Sequence, residues 1–368
     1  MQMQTQTQTR DADADALRLA DQKATGTCLT WQLASPPTNF FSPVLHANQV
    51  VGSNTADMPL NLQWPYRESR DGLWSPQTST LNWTVHNITP YCAEFVNTVT
   101  NVIFIHLGIM GIRDCLRYGH DRVFIISYLG YIIVGLGSML FHATLKYSMQ
   151  LADELPMIYT TCIMAFATFS YSRPRRLTVL IGLGLFALAM FITVYYHLSQ
   201  NPVFHQVAYA SLTCAVVFRG MYVMEAHLRP ALKGRSETPA HAAHIMKQMW
   251  KMAATGIALF LIGFFIWNMD NIYCSHLRSL RSSVLLPWAM VFEGHGWWHI
   301  FTGLGAYYFI IWRVWLTRCL DGSERDFMLD WPSPFTSVPK VVPRPGSARK
   351  TIGNGHANGV NGSSKKAL

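Results

Sequence analysis

Charge is what this sequence has least of. Asp, Glu, Lys and Arg make up 13% of its 368 residues, against about 25% in a typical soluble domain. Half of the residues are hydrophobic, which argues against a soluble enzyme and for a chain that lives in a bilayer. Paired cysteines are also missing. The seven are Cys28, Cys92, Cys115, Cys162, Cys214, Cys274 and Cys319, and none forms a C-x-x-C pair, which speaks against a cysteine zinc site. The opening MQMQTQTQTRDADADA has no apolar core, so no secretory signal is expected. No internal repeat is visible, which removes solenoids and propellers.

What is present is organised by where charge is absent. No charged residue occurs in 95–112, 123–145, 155–172, 252–269 or 294–312, and the uncharged run 177–218 is long enough for two spans, with Ser199-Gln200-Asn201-Pro202 as the turn between them. A helix needs about 20 apolar residues to cross a bilayer. The expected fold is therefore all-α and polytopic, with seven transmembrane helices near 91–112, 123–143, 152–171, 177–197, 203–219, 251–270 and 295–315.

Basic residues set the expected orientation. Arg113, Arg117, Arg122, Arg173, Arg175, Arg176, Arg229, Lys233, Arg235 and Lys247 fall in alternate loops, and the C-terminal tail is basic too. Only Lys146, Arg278 and Arg281 fall in loops on the other side. The positive-inside rule places the N-terminus in the lumen and the C-terminus in the cytosol. The net charge of +9 then faces anionic lipid, and no nucleic-acid partner is expected. Three parts follow: a polar lumenal tail (1–71), an intramembrane domain (72–315) and a basic, mostly disordered cytosolic tail (316–368). Asn82 and Asn87 sit in N-x-T sequons on the lumenal side, and Asn361 in one on the cytosolic side.

Polar residues inside the spans mark the chemistry. Ser138 and His142, four apart, share one helix face near the lumenal end of the second span. Asp153 opens the third span at the same depth. His295 and His299, again four apart, open the seventh. Ionisable groups at such depth are costly and usually carry function. Three imidazoles from two helices suit a catalytic zinc, which keeps a fourth position for water. Asp153 suits a general base, and Ser138 a hydrogen bond to the water or the developing oxyanion. A lone histidine would be packing or interfacial; the convergence of five groups is what argues for metal chemistry. Glu154 and Glu293 read as a helix-start acid and a membrane-edge acid. Trp297 and Trp298 read as an interfacial belt. Asp270 pairs with Arg278 or Arg281, or helps to hold the site.

The segments WSPQTSTLNW (74–83), PYCAEFVNT (90–98), GLGSMLFHATLKYSMQLADELPMIY (135–159), WNMDNIYC (267–274) and GWWHIFTGLGAYY (296–308) resemble the alkaline ceramidases, over roughly 72–315. The resemblance implies an amidohydrolase of the endoplasmic reticulum or Golgi membrane that cleaves ceramide to a sphingoid base and a fatty acid. It implies zinc on His142, His295 and His299, and catalytic roles for Asp153 and Ser138. It also implies a calcium site, which here would fall on Asn82, Trp83, Asn87 and Glu94. Two acids of the family pattern are replaced by Asn82 and Val85, so weak or absent calcium binding is expected. The family's disulfide cysteine is Thr84 here, leaving Cys92 as a substitute partner for Cys274. The alternatives are a seven-span lipid-sensing receptor of the related zinc-containing superfamily and a catalytically weakened relative. The D-E-L-P-M and G-W-W-H blocks favour the ceramidase. No protein partner is inferable.

Overall fold

The computed structural model describes residues 73–80, 88–235, 238–333 and 337–345. Among the described residues eight α-helices follow in order: α1 (Phe95–Tyr118), interrupted by a turn at Asn101; α2 (Arg122–Thr144); α3 (Tyr147–Phe169); α4 (Arg175–Ser199); α5 (Pro202–Arg235), with a π turn at Met224–Leu228; α6 (Pro239–Ile272); α7 (Cys274–Val284); and α8 (Gly294–Leu320). A short hairpin, β1 (Phe327–Asp330) paired antiparallel with β2 (Lys340–Pro343), ends the described chain.

Six helices among the described residues are long and apolar enough to cross a membrane: α1, α2, α4, α5, α6 and α8. The expected third span, α3, has 23 residues but is not one of the six. It carries Gln150, Asp153 and Glu154 in its first turns, which lowers its hydropathy. Between consecutive long helices the connections are short, as at Leu145–Lys146 and Gln200–Asn201, so neighbours run antiparallel. α2 packs on α1 and α3, α3 on α4 and α5, and α8 on α6.

The core collects on α8, where Trp312, Trp315, Tyr307 and Leu316 are fully enclosed. The outside of the bundle is greasy: Leu180, Leu183, Phe186, Phe191 and Leu198 on α4 are each more than half exposed. Such a surface would aggregate in water and fits hydrocarbon. The helices satisfy their own backbone groups, as a bilayer requires. This is a multi-pass membrane architecture.

Three local findings bear on the sequence expectations. α3 begins at Tyr147, so Asp153 lies in its second turn rather than at its start. The hairpin falls in the segment read as tail. It docks on the end of the bundle opposite His142: Tyr307 donates to Pro339 O at 3.2 Å, and His120 Nε2 lies 3.1 Å from Val341 O. Cys274 is disulfide-bonded, whereas Cys92 has a free thiol, so Cys92 is not its partner.

Candidate metal centre and catalytic site

Antiparallel winding brings the start of α1, the end of α2, and the starts of α3 and α8 to one end of the bundle. The last turn of α2 leaves carbonyls without helical donors. Ala93 N and Glu94 N supply them, donating to Ala143 O and His142 O at 2.9 Å each. That backbone clasp sets the Glu94 side chain beside His142. His142 Nδ1 then donates to Glu94 Oε2 at 2.6 Å, and Asn97 Nδ2 donates to the same oxygen at 3.0 Å. A carboxylate can only accept, so His142 carries its proton on Nδ1 and presents a bare Nε2.

His295 and His299 lie on one face of the first turns of α8. His295 Nε2 faces His142 Nε2 at 3.3 Å. Two nitrogens bound about 2.0–2.1 Å from one tetrahedral ion lie about 3.3–3.4 Å apart. The ring of His299 stacks edgewise on both others, with centroids 4.8 Å from His142 and 4.6 Å from His295. Its Nδ1 lies 3.1 Å from Thr100 Oγ1 and 3.2 Å from Asn101 Nδ2, which leaves Nε2 for a ligand. All three histidines are at most 8% exposed, and one ligand nitrogen from each lies within 4.8 Å of the others. Buried imidazole nitrogens this close, with a carboxylate behind His142, fit a divalent metal. Imidazole suits zinc, copper, iron and nickel alike.

Ser138, 4% exposed, sits one turn before His142. Its Oγ accepts from Asn101 Nδ2 at 3.0 Å, and it shares a hydrogen bond with the Asp153 carboxylate. What lets α2 come so near α3 is Gly137. A Cβ there would stand 1.9 Å from Ala152 O and 3.0 Å from Asp153 N. The five residues expected to carry the chemistry are thus gathered in one place.

The other expectations divide. Asp270 accepts from His295 N at 3.2 Å and also from Gly294 N, and it pairs with Arg281 at 3.7 Å. Of the two arginines offered for it, Arg281 is the one it pairs with. Glu293 has a partner the sequence did not give it: Arg281 donates to it at 2.5 Å. Glu154 is not a helix-start acid either. It is 8% exposed and accepts from Tyr196 OH and, at 3.4 Å, from Gln150 Nε2. Trp298 packs its ring on Phe260, Phe264 and Trp267. Of the calcium candidates, Asn82, Trp83 and Asn87 lie outside the described residues, as do the sequons at Asn82, Asn87 and Asn361. Glu94 is described, and its Oε2 is on His142. Sequence reasoning missed Asn97, Thr100 and Asn101. Their signal was a cluster of amides and hydroxyls, Asn97 to Asn101, at the start of a largely apolar span.

Residues 75–342 match the family model described as Ceramidase, a stretch that takes in most of the hairpin. The chain is 37% identical to "Alkaline ceramidase 3" of Mus musculus over 68% of its own length and 88% of that protein. It is 34% identical to "Alkaline ceramidase YPC1" of Saccharomyces cerevisiae over 68% and 80%. It is 28% identical to "Alkaline ceramidase" of Arabidopsis thaliana over 64% and 82%.

Proposed function

The chain belongs to the ceramidase family, and on that premise we propose that it is a zinc-dependent alkaline ceramidase. It hydrolyses the amide bond of ceramide-type lipids to a sphingoid base and a free fatty acid. The observation that carries this reading is the buried trio His142, His295 and His299 with the Ser138–Asp153 pair beside it. The family likeness alone would fit a weakened relative equally well; an intact metal-and-base constellation favours the enzyme. The lipid-sensing receptor has no observation in its favour.

An ion held by the three histidines would supply a Lewis acid for the amide carbonyl and bring the pKa of a water to about 7. Asp153 takes the proton of the attacking water and returns it to the leaving amine nitrogen. Ser138 swings its hydroxyl proton from Asp153 to the developing oxyanion, while Asn101 holds its oxygen in place. Glu94 fixes the ring and tautomer of His142, and Thr100 and Asn101, at Nδ1, hold the ring of His299. The same groups serve condensation in reverse, so ceramide formation from base and fatty acid belongs to the reading. A substrate with two long chains reaches such a site from the bilayer.

The proposed setting is a seven-span protein of the endoplasmic reticulum or Golgi membrane, with α3 as the seventh span. Its N-terminus is lumenal and its C-terminus cytosolic, and 72–315 is the core of the hydrolase domain. No calcium role is assigned, because Asn82 and Val85 replace two acids and Glu94 serves His142.

The test is release of sphingoid base from a ceramide panel by purified protein in detergent, with His295→Ala in parallel. Release by the unaltered protein, and loss of both zinc and release in the variant, are expected. A folded, zinc-loaded protein that cleaves no ceramide overturns the enzyme reading. Full zinc occupancy in the variant overturns the ligand assignment.

A further inference from the structure

The first turn of α8 carries a metal-ligand candidate, yet its own N-cap residue does not cap it. Glu293 stands at that position without a side-chain cap bond. The first backbone N–H groups of any helix need an acceptor. Here Asp270 supplies it from the neighbouring helix α6, accepting from Gly294 N and from His295 N at 3.2 Å. Gly294 permits that approach, since a Cβ there would stand 2.7 Å from Asp270 Cβ. Glu293 turns instead to Arg281 of α7, which donates to it at 2.5 Å and pairs with Asp270 at 3.7 Å. Arg281 is 5% exposed. Its planar fork reaches two carboxylates at once, which a lysine cannot do with the same geometry.

We propose that Arg281, acting through Asp270, is a positioning residue for the metal ligand His295, so that α7 sets how tightly the metal is held. The proposal rests on the metal reading of the three histidines and deepens it. His295 is the second residue of α8, so the direction of its imidazole follows the direction of that first turn. Asp270 fixes the turn by bonding its two leading N–H groups, and Arg281 fixes Asp270. Without the guanidinium, Asp270 and Glu293 lose the cation they share next to the helix start. The turn then shifts, and the 3.3 Å spacing between His295 Nε2 and His142 Nε2 is lost. The competing account is that the triad only staples α7 to the bundle, in which case it sets stability and leaves metal affinity alone.

The experiment uses full-length protein in detergent, stripped with a chelator and titrated with Zn²⁺ in competition with a chromophoric chelator. A parallel Co²⁺ titration is read in the visible d–d band. The variants are Arg281→Lys, Arg281→Met and Asp270→Asn. Arg235→Met is the control, because Arg235 pairs with Glu324 at 3.7 Å at the opposite end of the bundle. Roughly 10–100-fold weaker zinc binding is expected for Arg281→Met and Asp270→Asn, with a shifted cobalt band. Arg281→Lys should recover part of the loss, and the control should bind like the unaltered protein. Arg281→Met risks misfolding, so Arg281→Lys and Asp270→Asn decide. If both fold and bind zinc and cobalt like the unaltered protein, the positioning role is wrong and the staple account stands. An unaltered protein that binds neither ion would overturn the metal reading itself, a result distinct from either.

Discussion

Replacing Gly137 with alanine tests whether the catalytic pair depends on helix contact. A Cβ at Gly137 falls 1.9 Å from Ala152 O and 2.6 Å from its carbonyl carbon, both backbone atoms of α3 that no rotamer change can move. Ordinary non-bonded contact is about 3.5–4.0 Å, so α2 and α3 must part by about 1.5 Å or more. Core overpacking typically costs about 1–3 kcal/mol, and a backbone obstacle puts this case at the top of that range. The consequence for chemistry is larger than for folding. Ser138 follows Gly137 and Asp153 follows Ala152, so the separation opens the Ser138–Asp153 contact directly. A misplacement of about 1 Å can cost about 100-fold in rate. Gly137→Ala should therefore lose at least about 100-fold in sphingoid-base release while keeping much of its zinc. Gly184→Ala on α4, where an added Cβ meets no described atom within 4 Å, should behave like the unaltered protein. The assay is ceramide turnover by purified protein, with metal content and thermal melting measured alongside. A Gly137→Ala enzyme of normal rate would refute the reasoning, because the close approach could not then be what places the pair.

Glu94→Gln keeps an acceptor for His142 Nδ1 but removes the charge. Zinc affinity should fall by about 10–100-fold, read by chelator competition; an unchanged affinity would show that Glu94 does not tune the site. Added calcium should change turnover little, and a saturable rise at micromolar calcium would show that the 82–94 segment still binds the ion. At the other end of the bundle, burial and the Arg318 guanidinium, whose Nε donates to His120 Nδ1 at 3.1 Å, hold the His120 pKa down at about 4. Unfolded, the ring protonates near its ordinary 6.5, so its contribution to stability is complete above that pH and is lost as the pH falls toward 4. Amides of the hairpin should exchange faster at pH 5 than at pH 7.5 after correction for intrinsic rates. A His120→Gln variant should lose that difference, and equal protection at both values in the unaltered protein would exclude the effect.

Within a helix, residues four apart face the same way whatever the rest of the molecule does. Ser138 with His142, and His295 with His299, were therefore legible as pairs from sequence alone. So were most of the spans, because charge is excluded from hydrocarbon and the gaps between charges show where the chain crosses. Alternation of the spans brought the two pairs and Asp153 to one depth, and the resemblance to a known family supplied the chemistry. Contacts between helices were not legible in this way. That Asp270 takes Arg281 rather than Arg278, and that Glu154 turns inward to Tyr196, depend on interaxial distance and rotation. Those are set by packing at positions such as Gly137 and Gly294. Glu94 reaches His142 because two backbone donors clasp the end of α2, and no spacing in the sequence encodes that clasp. The hairpin was hidden for a related reason. Its strands are four residues long, too short to announce themselves, and the hairpin is held by His120, from the turn before α2, and by Tyr307 of α8. The sequence by itself determined the helices and the faces their side chains share, because those follow from local periodicity and the cost of charge in lipid. Only the tertiary structure decided which faces meet and how closely, because that depends on side-chain volume summed over partners far apart in the chain.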